Sequence, residues 1–189
     1  MNIFTIGHSN RALSELVDAL LAFRVEVLAD VRSLPRSRAN FQFNQDILER
    51  ELTQVAIAYR WMGPGLGGYR KSSGGGEDNS GWETPAFRGY ADYALTDGFR
   101  LALQELVSLA KERSTAIMCA ELMYTSCHRR IISDYLAAHG WNVVHILDSQ
   151  RSIPHRMTPF ARVKSARITY PRRYEVSTLE DFIEDEGGK

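Results

Sequence analysis

The chain has 189 residues, of which 44% are hydrophobic and 24% are charged, and these values are typical of one globular domain with a single core. Lysine and arginine total 23, as do aspartate and glutamate, so net charge gives no general argument for binding nucleic acid or a membrane. No apolar run approaches the roughly 18 residues that a membrane span requires. The N-terminus lacks a signal-peptide pattern, so we expect a cytoplasmic protein.

Short apolar runs alternate with amphipathic segments along the chain. The apolar runs predict strands at residues 3–6, 25–31, 58–62, 115–119 and 143–147. Apolar residues at helical spacing predict helices from about residue 13, from about residue 44, after a cap at Thr96 or Asp97, and up to a stop at Gly140. Strands that alternate with helices imply right-handed crossovers and a mostly parallel sheet. We predict a single α/β domain over residues 1–174, with about five strands and helices on both faces of the sheet.

The third predicted strand is followed by a glycine-rich loop over residues 63–68, and residues 72–76 are also rich in glycine. The loop lacks the order of a nucleotide-binding P-loop. Loops of this length are usually functional or mobile. We therefore expect a flexible cover over a site, with Tyr69, Arg70 and Lys71 available to contact an anion.

The last part of the chain separates its charges. Residues 151–173 contain seven arginines or lysines and no acid, whereas residues 175–186 contain six acids. The basic strip would suit a phosphate backbone, but a solvated basic face neutralised by an acidic tail over residues 175–189 explains it equally well.

Polar side chains follow several of the predicted strands. In an open parallel sheet, ligands bind beyond the carboxyl ends of the strands. The polar residues at or after these ends are His8, Ser9 and Arg11, then Asp30, Arg32, Ser33, Arg36 and Arg38, then Cys119 and Glu121, with His145 as a further candidate. A bland surface would scatter such groups, so we predict a site at this edge.

The only cysteines are Cys119 and Cys127, and in a reducing compartment a lasting disulfide between them is disfavoured. Ser126 is a candidate cap for a helix that carries residues 127–130 in its first turn. That position would lower the pKa of the Cys127 thiol. The arginines there oppose the helix dipole, so a bound anion, most commonly phosphate, or a carboxylate would be needed. The side chains of that turn are Cys127, His128, Arg129 and Arg130.

Several of these residues have structural alternatives. Cys119 at the end of an apolar strand is more readily a buried small hydrophobe than a nucleophile, whereas Cys127 suits either role. His8 could cap a turn, and His145 is best interpreted as a hydrogen-bonded core histidine. A buried carboxylate at Asp30 would need a partner, which one of the nearby arginines could supply.

Two weaker patterns remain. The segment from residue 82 to residue 93, which includes Tyr90, could stack nucleic-acid bases or a nucleoside, but a packed helix end is the favoured interpretation. A metal site from Cys119, Cys127, His128 and His8 lacks the usual C-x-x-C or H-x-x-x-H spacing. We therefore predict no metal and no cofactor.

Five motifs in order resemble one known family. They are residues 5–11 (TIGHSNR), 30–38 (DVRSLPRSR), 87–93 (FRGYADY), 119–121 (CAE) and 127–130 (CHRR). Together they resemble the bacterial and archaeal domain of unknown function DUF488, from about residue 3 to residue 171. The resemblance implies an α/β domain with an enzymatic or nucleic-acid-linked role and no settled reaction. The chain departs from the family at residues 122–126, where other members often carry bulky aromatic residues.

These patterns favour a small enzyme that acts on a phosphate-bearing ligand, either a nucleotide or a nucleic-acid end. The alternatives are a nucleic-acid-binding module without cysteine chemistry and, less favoured, a metal-dependent hydrolase. The predicted catalytic residues are Cys127, Glu121, Asp30 and His8. The predicted ligand-binding residues are Arg32, Ser33, Arg36, Arg38, Ser9, Arg11, Cys119, His128, Arg129, Arg130 and Tyr90.

Overall fold

The computed structural model describes residues 1–71 and 76–172. Its strands are β1 (Asn2–Gly7), β2 (Val27–Asp30), β3 (Ala58–Trp61), β4 (Thr115–Cys119), β5 (Asn142–Ile146), β6 (Ser152–Pro154), β7 (Arg162–Lys164) and β8 (Arg167–Thr169). Its helices are α1 (Leu13–Ala22), α2 (Gln45–Gln54), α3 (Gly63–Leu66), α4 (Pro85–Tyr93), α5 (Asp97–Glu112) and α6 (Arg129–Ala138). Single 3₁₀ turns lie at Phe41–Phe43 and Tyr124–Ser126.

The central sheet has six strands in the order β3-β2-β4-β1-β5-β6, and its first five strands are parallel. Strand β6 adds to the edge antiparallel to β5, and β7 pairs with β8 in a separate hairpin. The predicted α/β fold with a mostly parallel sheet is confirmed. The three short strands at the C-terminal side were not predicted, because three residues are too few to show a periodicity.

Helices cover both faces of the sheet, and successive side chains of β4 pack alternately against the helices on the two faces. Ala116 and Met118 pack in the cluster formed with α1 and α2, whereas Ile117 and Cys119 pack with α5 and α6. Successive side chains of a strand point to opposite faces, so one buried strand supplies both cores. Full burial of each large aliphatic side chain in them stabilises the fold by about 1.5–3 kcal/mol.

The topology creates a crevice at the carboxyl end of β4. This strand lies between β1 and β2, and its register places Cys119 beside Gly7 and Met118 beside Asp30. The helices that follow β1 and β2 pack on one face, whereas the helix that follows β4 packs on the other. The loops therefore diverge at this point, which is where doubly wound sheets bind ligands.

The helix ends agree in part with the predictions. Thr96 caps α5 by accepting a hydrogen bond from the Phe99 backbone, and Gly140, with φ of +83°, follows the end of α6. The cap predicted at Ser126 is wrong, because this residue ends a 3₁₀ turn and leaves Cys127 extended. Helix α6 therefore begins at Arg129, after His128.

The remaining predictions concern membrane spans and the ends of the domain. None of the helices in residues 1–71 and 76–172 combines the length and hydrophobicity needed to cross a membrane. The domain boundary at residue 174, the acidic tail over residues 175–189 and most of the second glycine-rich stretch lie outside the described residues.

Candidate functional site

A cavity of about 660 Å³ lies over the crevice. Eight of the predicted site residues line it, and they come from the segments that follow β1, β2 and β4. These residues are His8, Arg32, Ser33, Arg36, Cys119, Glu121, Cys127 and His128. The convergence of groups that are far apart in sequence makes this cavity the candidate site.

Other lining residues were missed or only partly foreseen. Ser37 and Asn40 follow β2 beside the predicted arginines, and Phe87 comes from the aromatic segment in α4. Tyr69 and Arg70 line the cavity as expected of the glycine-rich loop. The polar composition of residues 33–40 was the available signal, but sequence spacing could not show which of these side chains turn inward.

Two sulfur atoms and one ring nitrogen meet at the cavity floor. The Sγ atoms of Cys119 and Cys127 and Nδ1 of His128 all lie within 4.8 Å of one another. Nδ1 is 3.8 Å from the Cys119 sulfur and 3.7 Å from the Cys127 sulfur. We refer to these three side chains as the thiol–imidazole cluster, and all of them face the cavity.

The orientation of the His128 ring is fixed by its surroundings. Its Nε2 lies 3.1 Å from the carbonyl oxygen of Val31, and because a carbonyl only accepts, Nε2 carries a proton. Nδ1 is thereby left to exchange a proton with the thiols. The Tyr90 ring packs 4.9 Å from the imidazole, and on the other side a Cβ at Gly68 would come within 2.5 Å of Nδ1.

The two thiols differ in their electrostatic surroundings. Burial would raise the pKa of Cys127, but its contacts with Cys119 and His128 and the charge of Arg129 outweigh burial and hold that pKa well below its ordinary value. The adjacent Cys127 sulfur, together with burial and Glu121, raises the pKa of Cys119 well above its ordinary value. Cys119 donates a hydrogen bond to Glu121 Oε2 at 3.0 Å. Cys127 is therefore the thiolate of the pair and Cys119 the thiol.

Arg129 is almost wholly buried, with 1% of its surface exposed. It donates hydrogen bonds to the carbonyl oxygens of Glu121 and Leu122, to Thr5 Oγ1 at 3.1 Å and to the Cys127 sulfur at 3.4 Å. Its predicted role as an anion ligand is therefore corrected. Arg129 ties the loop after β4 to β1 and supplies a positive charge beside Cys127.

A buried chain of hydrogen bonds continues from Arg129. The Thr5 hydroxyl donates to Nδ1 of His145 at 2.8 Å, Nε2 of His145 donates to Nδ1 of His155 at 3.0 Å, and Nε2 of His155 donates to Asp134 at 2.9 Å. With both imidazole rings neutral, these directions follow because the carboxylate oxygen of Asp134 accepts the bond from His155. We refer to these five residues as the donor chain. The interpretation of His145 as a hydrogen-bonded core histidine is confirmed.

Asp134 anchors the far end of the donor chain as a carboxylate. It also accepts hydrogen bonds from the backbone and hydroxyl of Thr158, at 2.9 and 2.6 Å, and from the Tyr170 hydroxyl at 2.9 Å. Four donors satisfy this buried charge, as burial requires.

A buried ion pair between Asp30 and Arg32 supports the other wall of the cavity. Asp30 receives a bidentate pair from Arg32, with contacts of 2.9 and 2.5 Å, and a hydrogen bond from the Tyr59 hydroxyl at 2.7 Å. Asp30 does not line the cavity, so its predicted catalytic role is corrected to one of positioning Arg32.

His8 is held neutral beside this ion pair. Burial lowers its pKa to about 4, Nδ1 donates to the carbonyl oxygen of Ser9, and Nε2 accepts from Arg32 at 3.3 Å. Both ring nitrogens are engaged, so His8 lines the cavity but is not poised as a general base.

The remaining predicted residues do not line the cavity. Arg11 donates to the Leu147 carbonyl, Arg130 donates to Thr158 and lies over the Trp82 ring, and the Tyr90 hydroxyl donates to the Leu66 carbonyl. Ser9 and Arg38 also lie outside the lining. The polar groups of Arg11, Arg130 and Tyr90 are thus engaged within the protein, and Tyr90 supports the His128 ring. Ligand contacts by Ser9 and Arg38 stay predictions.

Three arginines and one carboxylate line the cavity wall. They are Arg32, which is paired with Asp30, together with Arg36, Arg70 and Glu121. The Arg70 guanidinium packs over the Tyr93 ring, and its buried Nε has no hydrogen-bond partner among the described residues. The same guanidinium donates to the Pro64 carbonyl oxygen at 2.7 Å.

The fold and site define a doubly wound α/β protein that holds two thiols and an imidazole at the divergence point of its sheet. The chain belongs to the family Domain of unknown function DUF488, whose model matches residues 12–136. This match confirms the resemblance in the motifs. No curated protein and no solved structure matches the chain, so family membership brings no activity with it.

Proposed function

We propose that this protein is a thiol-dependent hydrolase or transferase that acts on a phosphate-bearing ligand, either a nucleotide or a nucleic-acid end. The observation that carries the proposal is the position of Cys127. Its sulfur lies beside His128 Nδ1 and the Arg129 guanidinium, and it faces a cavity whose wall is rich in arginine. These are the surroundings that activate a cysteine nucleophile.

The division of roles follows from the contacts. His128 takes the thiol proton from Cys127, and Arg129 stabilises the thiolate from behind. Arg36 and Arg70 hold the phosphate oxygens from the cavity wall. Tyr69, of which 87% is exposed, and Phe87 offer ring faces on which a nucleobase could stack.

The proposed reaction has two balanced steps. In the first, the Cys127 sulfur bonds to phosphorus, the bond from phosphorus to the leaving oxygen breaks, and that oxygen takes the proton held by His128. In the second, water or an alcohol attacks phosphorus, returns a proton to His128 and releases the thiolate. Water as acceptor gives hydrolysis, and an alcohol gives transfer.

Alkylation of Cys127 tests this proposal without a known substrate. In the reduced protein, we expect iodoacetamide to label Cys127 faster than Cys119, as followed by peptide mass spectrometry. Inorganic phosphate or a nucleoside monophosphate should slow that labelling several-fold relative to potassium chloride of equal ionic strength. The Arg36→Ala/Arg70→Ala double variant should lose the protection but keep the labelling. Labelling no faster than in the unfolded chain, or no protection by either anion, would contradict the proposal.

A nucleic-acid-binding module is the second candidate, and it is favoured by the hairpin of β7 and β8. Arg162 and Lys164 are exposed on β7, and Arg167 is exposed on β8. Such a surface would contact phosphates by charge alone.

The module makes a separate prediction for oligonucleotide binding. Fluorescence anisotropy with a labelled single-stranded oligonucleotide should show affinity that falls steeply with salt. That affinity should survive Cys127→Ser and decrease in the Arg162→Ala/Lys164→Ala variant. Binding that is absent, or insensitive to salt, removes this candidate.

A further inference from the structure

We propose that the thiol–imidazole cluster binds a zinc ion through the sulfurs of Cys119 and Cys127 and Nδ1 of His128. Two thiolates and one imidazole are a donor set that zinc prefers, whereas magnesium, calcium and manganese prefer oxygen ligands. Among the described residues, these three side chains bring their donor atoms within 4.8 Å of one another. The bare C-x₇-C-H spacing does not resemble a common zinc motif, so only the fold discloses the cluster.

The sulfur-to-nitrogen distances within the cluster are close to those of a tetrahedral ion. With bonds of about 2.3 Å to sulfur and about 2.0 Å to nitrogen, a tetrahedral zinc separates its sulfur and nitrogen ligands by about 3.5 Å. The corresponding distances from Nδ1 are 3.8 Å to Cys119 and 3.7 Å to Cys127. An ion between the three atoms would therefore require little movement of the His128 ring relative to either sulfur.

The orientation of His128 is also that of a metal ligand. Metal-binding histidines usually donate their second ring N–H to a carbonyl or carboxylate, which fixes the tautomer and directs the lone pair at the metal. His128 makes this contact through Nε2 to the Val31 carbonyl at 3.1 Å. The close approach of Gly68 to Nδ1 and the packing of Tyr90 on the ring hold the imidazole in place.

The fourth coordination position would open toward the cavity, since all three ligands line it. Glu121, whose carboxylate already contacts Cys119 at 3.0 Å, stands at that opening beside any water or ligand anion. Three protein ligands with one open position are the arrangement of a reactive or exchangeable zinc rather than of a closed structural site.

Zinc and the proposed nucleophile would compete for one sulfur. A Cys127 thiolate whose lone pair is bound to zinc cannot attack phosphorus, so zinc would switch the enzyme off reversibly. This regulatory consequence rests on the proposed function, whereas the binding of zinc does not.

Cobalt titration of the reduced, chelator-treated protein tests the site. We expect each protein chain to bind one cobalt ion, with the near-ultraviolet absorption of thiolate-to-cobalt charge transfer. Zinc should displace the cobalt, whereas magnesium should not. Cys119→Ser, Cys127→Ser and His128→Asn should each weaken binding at least about 100-fold, since even second-shell changes cost 10–100-fold. His139→Gln, which removes an exposed histidine far from the cluster, is the matched control and should bind as the wild type does.

The wild-type titration is informative even if a variant fails to fold. Absence of the charge-transfer absorption in the wild type, or binding that persists in the Cys119→Ser/Cys127→Ser double variant, would overturn the zinc site. Iodoacetamide labelling of the metal-free protein tests the proposed nucleophile independently of the zinc site. Zinc binding together with a slow, unprotected Cys127 in the metal-free protein would support the site and contradict the nucleophile, and absence of zinc binding with fast, anion-protected labelling would do the reverse.

Discussion

Replacement of Arg129 by lysine is expected to lower the free energy of unfolding by about 2–6 kcal/mol, because lysine would leave at least two buried acceptors without a donor. The planar guanidinium donates hydrogen bonds in several directions, to two carbonyl oxygens, to the Thr5 hydroxyl and to the Cys127 sulfur. An ammonium has three donors at a single point and cannot span these acceptors. Each buried acceptor left without a donor costs about 1–3 kcal/mol.

Chemical denaturation gives the measurement, with Arg100→Lys as its control. Arg100 is exposed on α5 and pairs only with the exposed Asp97, so its replacement should change the free energy of unfolding by less than about 0.5 kcal/mol. A loss below about 1 kcal/mol in Arg129→Lys would mean that the carbonyls of the loop after β4 do not depend on this side chain.

The stability of the protein should decrease as the pH falls below about 6.5, and His145 should account for much of the decrease. Burial lowers the pKa of His145 from 6.5 to about 3. The unfolded chain therefore binds one more proton than the folded chain between these two pH values. Stability that is fully present above pH 6.5 is lost at about 1.4 kcal/mol per pH unit for that one proton.

The slope of stability against pH isolates this histidine. The free energy of unfolding is measured from about pH 6.5 to about pH 4.5 in the wild type and in His145→Gln. The variant should lose stability more slowly as the pH falls, and the difference in slope should correspond to the binding of nearly one proton. His139→Gln removes an exposed histidine and should leave the slope unchanged. His8, whose pKa is lowered to about 4, contributes in the same direction and remains in both variants. Equal slopes in wild type and His145→Gln would show that His145 is not held neutral in the fold.

The sheet was predictable because its signal is local. Residues 115–119 are apolar in an unbroken run, and β4 is buried on both faces over the same residues. The helix that follows was placed about two residues too early, because hydrophobic spacing does not show the 3₁₀ turn at Tyr124–Ser126. That turn brings Cys127 back beside Cys119, so the meeting of the two thiols was beyond the reach of periodicity.

A cavity lies at the edge of the sheet where the sequence predicts a site, but sequence position does not show which arginines line it. Sequence position placed Arg32 and Arg129 beside the site, and both are there. An arginine side chain is long enough to turn away from a cavity, and burial decides its direction. Arg129 turns inward to carbonyls and Arg32 turns to Asp30, whereas Arg36 and Arg70 line the cavity, and Arg70 also donates to the Pro64 carbonyl. Only tertiary packing distinguishes these arrangements.

The donor chain from Arg129 to Asp134 also constrains how this sequence can change by descent. Thr5, His145 and His155 each donate on one side and accept on the other, so every link depends on the direction of the link before it. A substitution that reverses one link would leave two donors or two acceptors facing each other in the interior. We therefore expect viable replacements at these positions to arise in compatible pairs, so that the five residues vary together.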